Sequence, residues 1–132
     1  MATIVVVEDQ PDNLALLSAL LAARGHRVLP LASGEGLVET MLADAPRPDL
    51  LLLDIELPGK DGWELLAELQ TRRGDRTWKV VALTAHTKPA DRERARAAGF
   101  DGYITKPVDI RGFADEVAAY LGAAPVEPEP SP

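Results

Sequence analysis

Asp49-Leu50-Leu51-Leu52-Leu53-Asp54-Ile55-Glu56-Leu57-Pro58-Gly59-Lys60-Asp61-Gly62 sets four consecutive leucines directly before an aspartate and breaks the chain at Pro58-Gly59. A short run that is apolar at every position and bounded by turn residues suits a strand covered on both faces. Asp54 then stands where a buried strand ends, the place where open parallel sheets gather their chemistry.

On the N-terminal side, residues 3–7 are β-branched and apolar, an interior strand that ends in Glu8-Asp9. Pro11 opens a helix with Leu14, Leu17 and Leu21 at helical spacing and Gly25 as its stop. Residues 27–31 read as a strand, and Pro30, unable to donate to a ladder, assigns it to a sheet edge. Residues 33–44 read as a helix with Leu37, Met41 and Leu42 facing inward, followed by the turn Ala45-Pro46-Arg47-Pro48.

On the C-terminal side, Asp61 and Glu64 are spaced as an N-cap and its reciprocal partner, ahead of Leu65, Leu66 and Leu69. That helix gives out near Arg73-Gly74. A strand over 78–83 leads to Thr84-Ala85, and Pro89 starts a polar, arginine-rich helix that stops at Gly99. A short strand over 103–105 precedes Lys106-Pro107, and a final helix over 109–121 puts Phe113, Val117, Tyr120 and Leu121 on one face. From Gly122 onward a proline- and glutamate-rich tail has nothing to bury and is expected to be flexible.

Five strands alternating with five helices imply right-handed crossovers and a parallel sheet covered on both faces. The first, third and fourth strands are the most apolar, so the proline-bearing second and the short fifth belong at the edges. The fold class is therefore α/β: a flavodoxin-like, doubly wound five-stranded parallel sheet of order 2-1-3-4-5. In that order the winding reverses between strands one and three, and ligands bind at the reversal. Glu8, Asp9 and Asp54 converge there.

Composition bounds the rest. The chain has 132 residues, 46% hydrophobic and 27% charged, enough for one domain with a real core. Its formal charge of −7 argues against bulk attraction to nucleic acid or to anionic membranes. The absence of cysteine excludes disulfides, zinc thiolate sites and thiol catalysis. No apolar run approaches the roughly 20 residues of a membrane span, and the N-terminus lacks a signal-peptide pattern. A cytoplasmic location is expected.

Three carboxylates within about 4 Å of each other repel by roughly 4 kcal/mol per pair at an effective dielectric near 20. A cation or shifted pKa values must answer that. Oxygen ligands suit Mg²⁺, which takes one or two carboxylates and otherwise keeps water or phosphate oxygens. Aspartate is a competent nucleophile for phosphoryl transfer, a reaction that needs positioning and charge neutralisation above all. Lys106 can supply a second positive charge and Thr84 a hydroxyl donor, both from strand ends.

Glu8-Asp9, Asp54 in its Leu-Asp-Ile-Glu-Leu-Pro-Gly-Lys-Asp-Gly setting, Thr84-Ala85 and Lys106-Pro107, in that order, resemble a response-regulator receiver domain of two-component signalling. The resemblance covers about residues 3–121; no single motif is specific, but the four together are. It implies a receiver domain over 1–121 with a tail over 122–132. It implies that Asp54 accepts a phosphoryl group from a phosphohistidine on a sensor histidine kinase or a histidine phosphotransfer protein. It implies Mg²⁺ held by Asp9, Asp54 and the Glu56 backbone carbonyl, with Glu8 helping directly or through water. Lys106 and Thr84 are implied to contact the phosphoryl oxygens, with small Ala85 leaving the approach open. Tyr103 matches the family's switch aromatic, and Glu56 and His86 occupy the positions that tune dephosphorylation. The readout face would be the fourth helix, fifth strand and fifth helix, acting on a downstream protein target. The chain would be a phosphoacceptor regulator that promotes its own phosphorylation and dephosphorylation.

Each residue also has a plainer reading. Asp54 could be a turn residue, Glu8-Asp9 and Thr84 helix caps, and Lys106 an exposed lysine. His86 reads as a loop side chain, Tyr103 equally as an edge-strand aromatic, Trp63 and Trp78 as packing residues. Arg92, Arg94 and Arg96, interleaved with Asp91 and Glu93, read as a solvated face. Among other functions, an aspartate-nucleophile phosphatase would carry its paired aspartates near the chain start and a cap domain. A nucleotide-binding module would have a glycine-rich loop where Glu8-Asp9-Gln10-Pro11 stands. A docking-only receiver, or the receiver fragment of a larger hybrid kinase, stays open as an alternative.

Overall fold

A computed structural model of the chain describes residues 2–59, 61–86 and 88–121. The proline- and glutamate-rich tail expected over 122–132 lies outside the described residues. In chain order the elements are β1 (Thr3–Val7), α1 (Pro11–Ala22), β2 (Arg27–Leu31), α2 (Leu37–Leu42), β3 (Leu50–Asp54), α3 (Gly62–Arg72), β4 (Lys79–Thr84), α4 (Pro89–Ala98), β5 (Gly102–Thr105) and α5 (Phe113–Leu121).

The strands form one parallel sheet of order β2-β1-β3-β4-β5, as the apolar ranking of the strands requires. β3 is buried at all five positions, and its pairings run Val7 beside Leu53 and Asp54 beside Leu83. Side chains alternate across the pleat, so the leucine run feeds two cores. Leu51 and Leu53 pack with Val5, Val7, Val80 and Ala82 beneath α2, α3 and α4. Leu50 and Leu52 pack with Ile4, Val6, Val81 and Leu83 beneath α1 and α5. Each fully buried leucine contributes about 1.5–3 kcal/mol, so this strand is an anchor for both layers.

Helix ends differ from the sequence reading in two places. α2 was expected over 33–44 but spans only Leu37–Leu42. Gly36 sits at φ +82°, a left-handed conformation no helix interior contains, and Ser33 Oγ accepts the Glu35 amide at 3.2 Å in the preceding loop. Ala43, extended at ψ 145°, closes the helix early. α5 begins at Phe113 rather than 109, because the Gly112 and Phe113 amides both return to the Asp109 carbonyl in a turn. β4 is shifted by one residue and closes on Thr84.

α3 starts as its sequence specifies: Asp61 accepts the Glu64 amide at 3.0 Å and donates its own to Glu64 at 3.1 Å. Its first residue, Gly62, lies hard against the end of β3. A Cβ there would stand 2.7 Å from Ile55 Cα and 2.9 Å from the Asp54 carbonyl oxygen, both backbone atoms. Gly62→Ala is therefore expected to cost about 1–3 kcal/mol by overpacking, read as a lower urea midpoint. An unchanged midpoint would show that α3 can retreat from the strand end freely.

Candidate functional site

The C-terminal ends of the three central strands meet at one crevice, Asp54 and Thr84 closing β3 and β4 and Glu8-Asp9 following β1. Glu8 and Asp54 are essentially inaccessible, at 0% and 1% exposure, while Asp9 is half-buried. Ligand oxygens of Glu8, Asp9 and Asp54 all lie within 4.8 Å of one another. Backbone bonds lock the strand ends together: the Ile55 amide donates to the Leu83 carbonyl at 3.1 Å and the Lys106 amide to the Thr84 carbonyl at 2.8 Å.

Each oxygen of Asp54 has a donor. Oδ1 accepts the Glu56 amide at 2.9 Å, and Oδ2 accepts the Lys106 ammonium at 3.0 Å. Glu8 Oε2 accepts the Gln10 amide at 3.0 Å. Its other oxygen, Oε1, sits 3.1 Å from Lys106 Nζ but is buried without an aligned hydrogen bond. Glu8 therefore does not cap α1, whose N-cap is Gln10 with no side-chain cap bond. Burial would depress the Lys106 pKa, but the contacts with Asp54 and Glu8 outweigh it and hold it above the ordinary lysine value. Lys106 is accordingly a firm cation at neutral pH, carried on the Lys106-Pro107 cis peptide that follows β5.

One ammonium faces three carboxylates, and buried Glu8 Oε1 has an ion-pair contact with that shared ammonium but no aligned hydrogen bond. That donor set, oxygen only and in acidic excess, fits a hard divalent cation such as Mg²⁺.

Thr84, also buried, accepts the His86 amide on its Oγ1 at 2.9 Å and does not cap α4, whose N-cap is Lys88. Glu56 and His86 are both exposed, and His86 Nε2 meets Glu56 Oε2, so the two loop positions are bridged side chain to side chain. Beside the acidic trio lies a cleft of about 320 Å³ lined by Ile55, Glu56, Trp63, Thr84, His86, Arg92, Arg94 and Tyr103 among others. Tyr103 is half-buried against the core on that side of the sheet.

All eight residues singled out in the sequence thus fall around this crevice and its adjoining cleft. Sequence reasoning missed the partners of α4. Arg94 lies over the Trp63 ring at 4.0 Å and Arg92 over the Tyr103 ring at 4.9 Å, where a solvated face was expected. The arginines are indeed exposed, but spacing along one helix carries no signal for an aromatic supplied by another element. Trp63 packs against the core as expected, edge-on to Phe100 at 5.6 Å, and also carries Arg94 on its ring.

A family model described as the response regulator receiver domain matches residues 4–118. The polar-differentiation response regulator DivK of Brucella anthropi is 35% identical over 122 residues, spanning 92% of this chain and 98% of that protein. Its counterpart in Brucella ovis is 34% identical with the same coverage. Among solved structures, the receiver domain of a Pseudomonas aeruginosa sensor histidine kinase, with a magnesium ion coordinated in its active-site cleft, is similar at TM-score 0.78 and 30% identity, covering 92% of this chain and 98% of that one. A Francisella receiver domain at 19% identity and TM-score 0.81, covering 92% and 98%, shares the fold.

Removing the lysine would strand two buried carboxylates. Lys106→Met is expected to cost about 3 kcal/mol in chemical denaturation at pH 7. Because the folded pKa is raised above 10.5, the wild-type advantage is fully present below that value and is lost only as pH climbs through the folded pKa. The deficit of the variant should be equal at pH 7 and pH 9; a deficit already shrinking at pH 9 would contradict this.

Proposed function

The chain belongs to the response regulator receiver domain family of two-component signalling, and from that premise we propose that it is a phosphoryl-accepting switch with Asp54 as acceptor. The observation that carries the proposal is the buried Asp54 carboxylate, bonded to Lys106 at 3.0 Å and grouped with two further carboxylates at strand ends. Members of this family are signalling proteins rather than enzymes with a substrate to turn over.

In the proposed reaction an Asp54 oxygen attacks the phosphorus of a phosphohistidine on a sensor kinase or phosphotransfer protein. A phosphorus–oxygen bond to Asp54 forms as the phosphorus–nitrogen bond breaks, and the donor imidazole leaves with the bonding pair. Lys106 holds positive charge against the transferred oxygens and Thr84 offers its hydroxyl to one of them. Glu8, Asp9, Asp54 and the Glu56 carbonyl would hold Mg²⁺, which when bound supplies the remaining neutralising charge. Glu56 and His86, bridged across the mouth, would tune how readily water removes the phosphoryl group.

The output in this reading is a protein contact made by α4, β5 and α5, with Tyr103 reporting the state of Thr84. Direct nucleic-acid or membrane binding has no part in it, and among the described residues no helix is long and apolar enough to cross a membrane. A cytoplasmic location, a receiver unit over 1–121 with a tail over 122–132, and self-catalysed phosphorylation from small donors belong to the same proposal.

Intact mass after incubation with acetyl phosphate tests it. A Mg²⁺-dependent, base-labile gain of one phosphoryl group, absent in Asp54→Asn, is expected. No gain in any condition would favour a docking-only receiver, and a gain surviving in Asp54→Asn would move the acceptor elsewhere. Mg²⁺ in large excess over its Kd should also stabilise the wild type by about 1–3 kcal/mol in thermal unfolding. Asp9→Asn should lose most of that gain; equal stabilisation of both would remove Asp9 from the metal set.

A further inference from the structure

α4 buries little apolar surface: Ala95 is its one buried residue among those described. Two guanidinium–aromatic stacks tie it to its neighbours, Arg94 on Trp63 of α3 and Arg92 on Tyr103 of β5. The third arginine, Arg96, is engaged within the helix itself, paired with Glu93.

The Arg92 stack involves the same ring that lines the cleft with Thr84. That cleft, of about 320 Å³, is lined by Arg92 as well as by Thr84 and Tyr103. In the switch role given above to Tyr103 the ring turns toward Thr84, and a turn that parts it from the Arg92 guanidinium, now 4.9 Å from its centroid, forfeits the attraction between cation and ring face. No other cation is seen stacked on Tyr103 among the described residues.

We propose that Arg92 is a positioning residue of the switch: stacked on Tyr103, it holds the ring in its present place at the edge of the Thr84-lined cleft and sets how strong a signal is needed to draw it further in. This rests on the roles given above to Asp54, Thr84 and Tyr103. The ligand-free protein then divides between ring-out and ring-in forms, and any group at Asp54 that favours ring-in binds with an affinity reduced by the fraction already ring-in. Removing the stack enlarges that fraction. A cation–π contact at an exposed site corresponds to about a two- to five-fold change in such an equilibrium.

The test titrates the full chain with beryllofluoride, a phosphoryl mimic, in the presence of Mg²⁺, following the Tyr103 ring resonances by NMR. Arg92→Ala should lower the half-maximal beryllofluoride concentration about two- to five-fold. Arg92→Lys, which keeps a cation on the helix, should fall between that variant and the wild type, and it keeps the test decisive if the alanine loosens α4. Arg96→Ala removes the same charge from the same helix without removing an aromatic contact and should leave the midpoint unchanged. An unchanged midpoint in Arg92→Ala, or an equal fall in Arg96→Ala, would overturn the proposal while leaving the phosphoacceptor reading intact. A wild type with no response, or one that persists in Asp54→Asn, would overturn that reading and the proposal with it.

Discussion

Two carboxylates buried at the ends of adjacent strands, with one ammonium between them, are the constraint to which the rest of the structure answers. Glu8 and Asp54 are closed off from water, and Lys106 reaches both within 3.1 Å. Taking charges out of water is costly, and a buried cluster in acidic excess is tolerable only where each charge has fixed donors. The chain meets that condition with backbone: the Gln10 and Glu56 amides hold one oxygen each of Glu8 and Asp54. Such donors need rigid strand ends, and rigid strand ends need the two leucine cores on either side of β3. Core and site are one problem, which is why the strand buried at every position is also the one that carries Asp54.

The Glu8 oxygen that shares Lys106 without an aligned hydrogen bond shows where the arrangement is least satisfied. Every other oxygen of Glu8 and Asp54 has a hydrogen-bond donor, but Oε1 of Glu8 has only a misaligned neighbour in Lys106. A fold built for stability alone would replace such a group with an apolar one at little or no loss. Keeping it leaves a buried carboxylate in a group of three whose oxygens come within 4.8 Å of one another, a condition in which an added positive charge is favoured.

The sheet order was legible because it followed from local facts: Pro30 bars β2 from the interior, and unbroken apolar runs place β1, β3 and β4 at the centre. The site was legible for the same reason, since a strand register fixes which residues finish side by side. Helix beginnings were less so. Ser33-Gly34-Glu35-Gly36 carries helix-compatible residues on either side, yet a left-handed Gly36 spends them on a loop, and no periodicity in six helical residues can reveal that. The stacks of Arg92 and Arg94 were invisible for a different reason. Their partners, Tyr103 and Trp63, come from other elements, and only the three-dimensional crossing of α4 over β5 and α3 brings the rings beneath them.

That crossing has an energetic consequence. α3 drives Leu65, Leu66 and Leu69 into the core, each contributing about 1.5–3 kcal/mol. α4 offers Ala95 and two stacked arginines, each stack contributing about 0.5–1 kcal/mol at an exposed site. Coupling between two sites in a protein is typically about 1–3 kcal/mol. A free energy of that size is comparable to the two α4 stacks taken together and small beside the leucine burial of α3. In the function proposed above, a signal at Asp54 would reach the α4 face more readily than α3, because the contacts that hold α4 are comparable to it in size, while the leucine cores keep the acidic site itself in place.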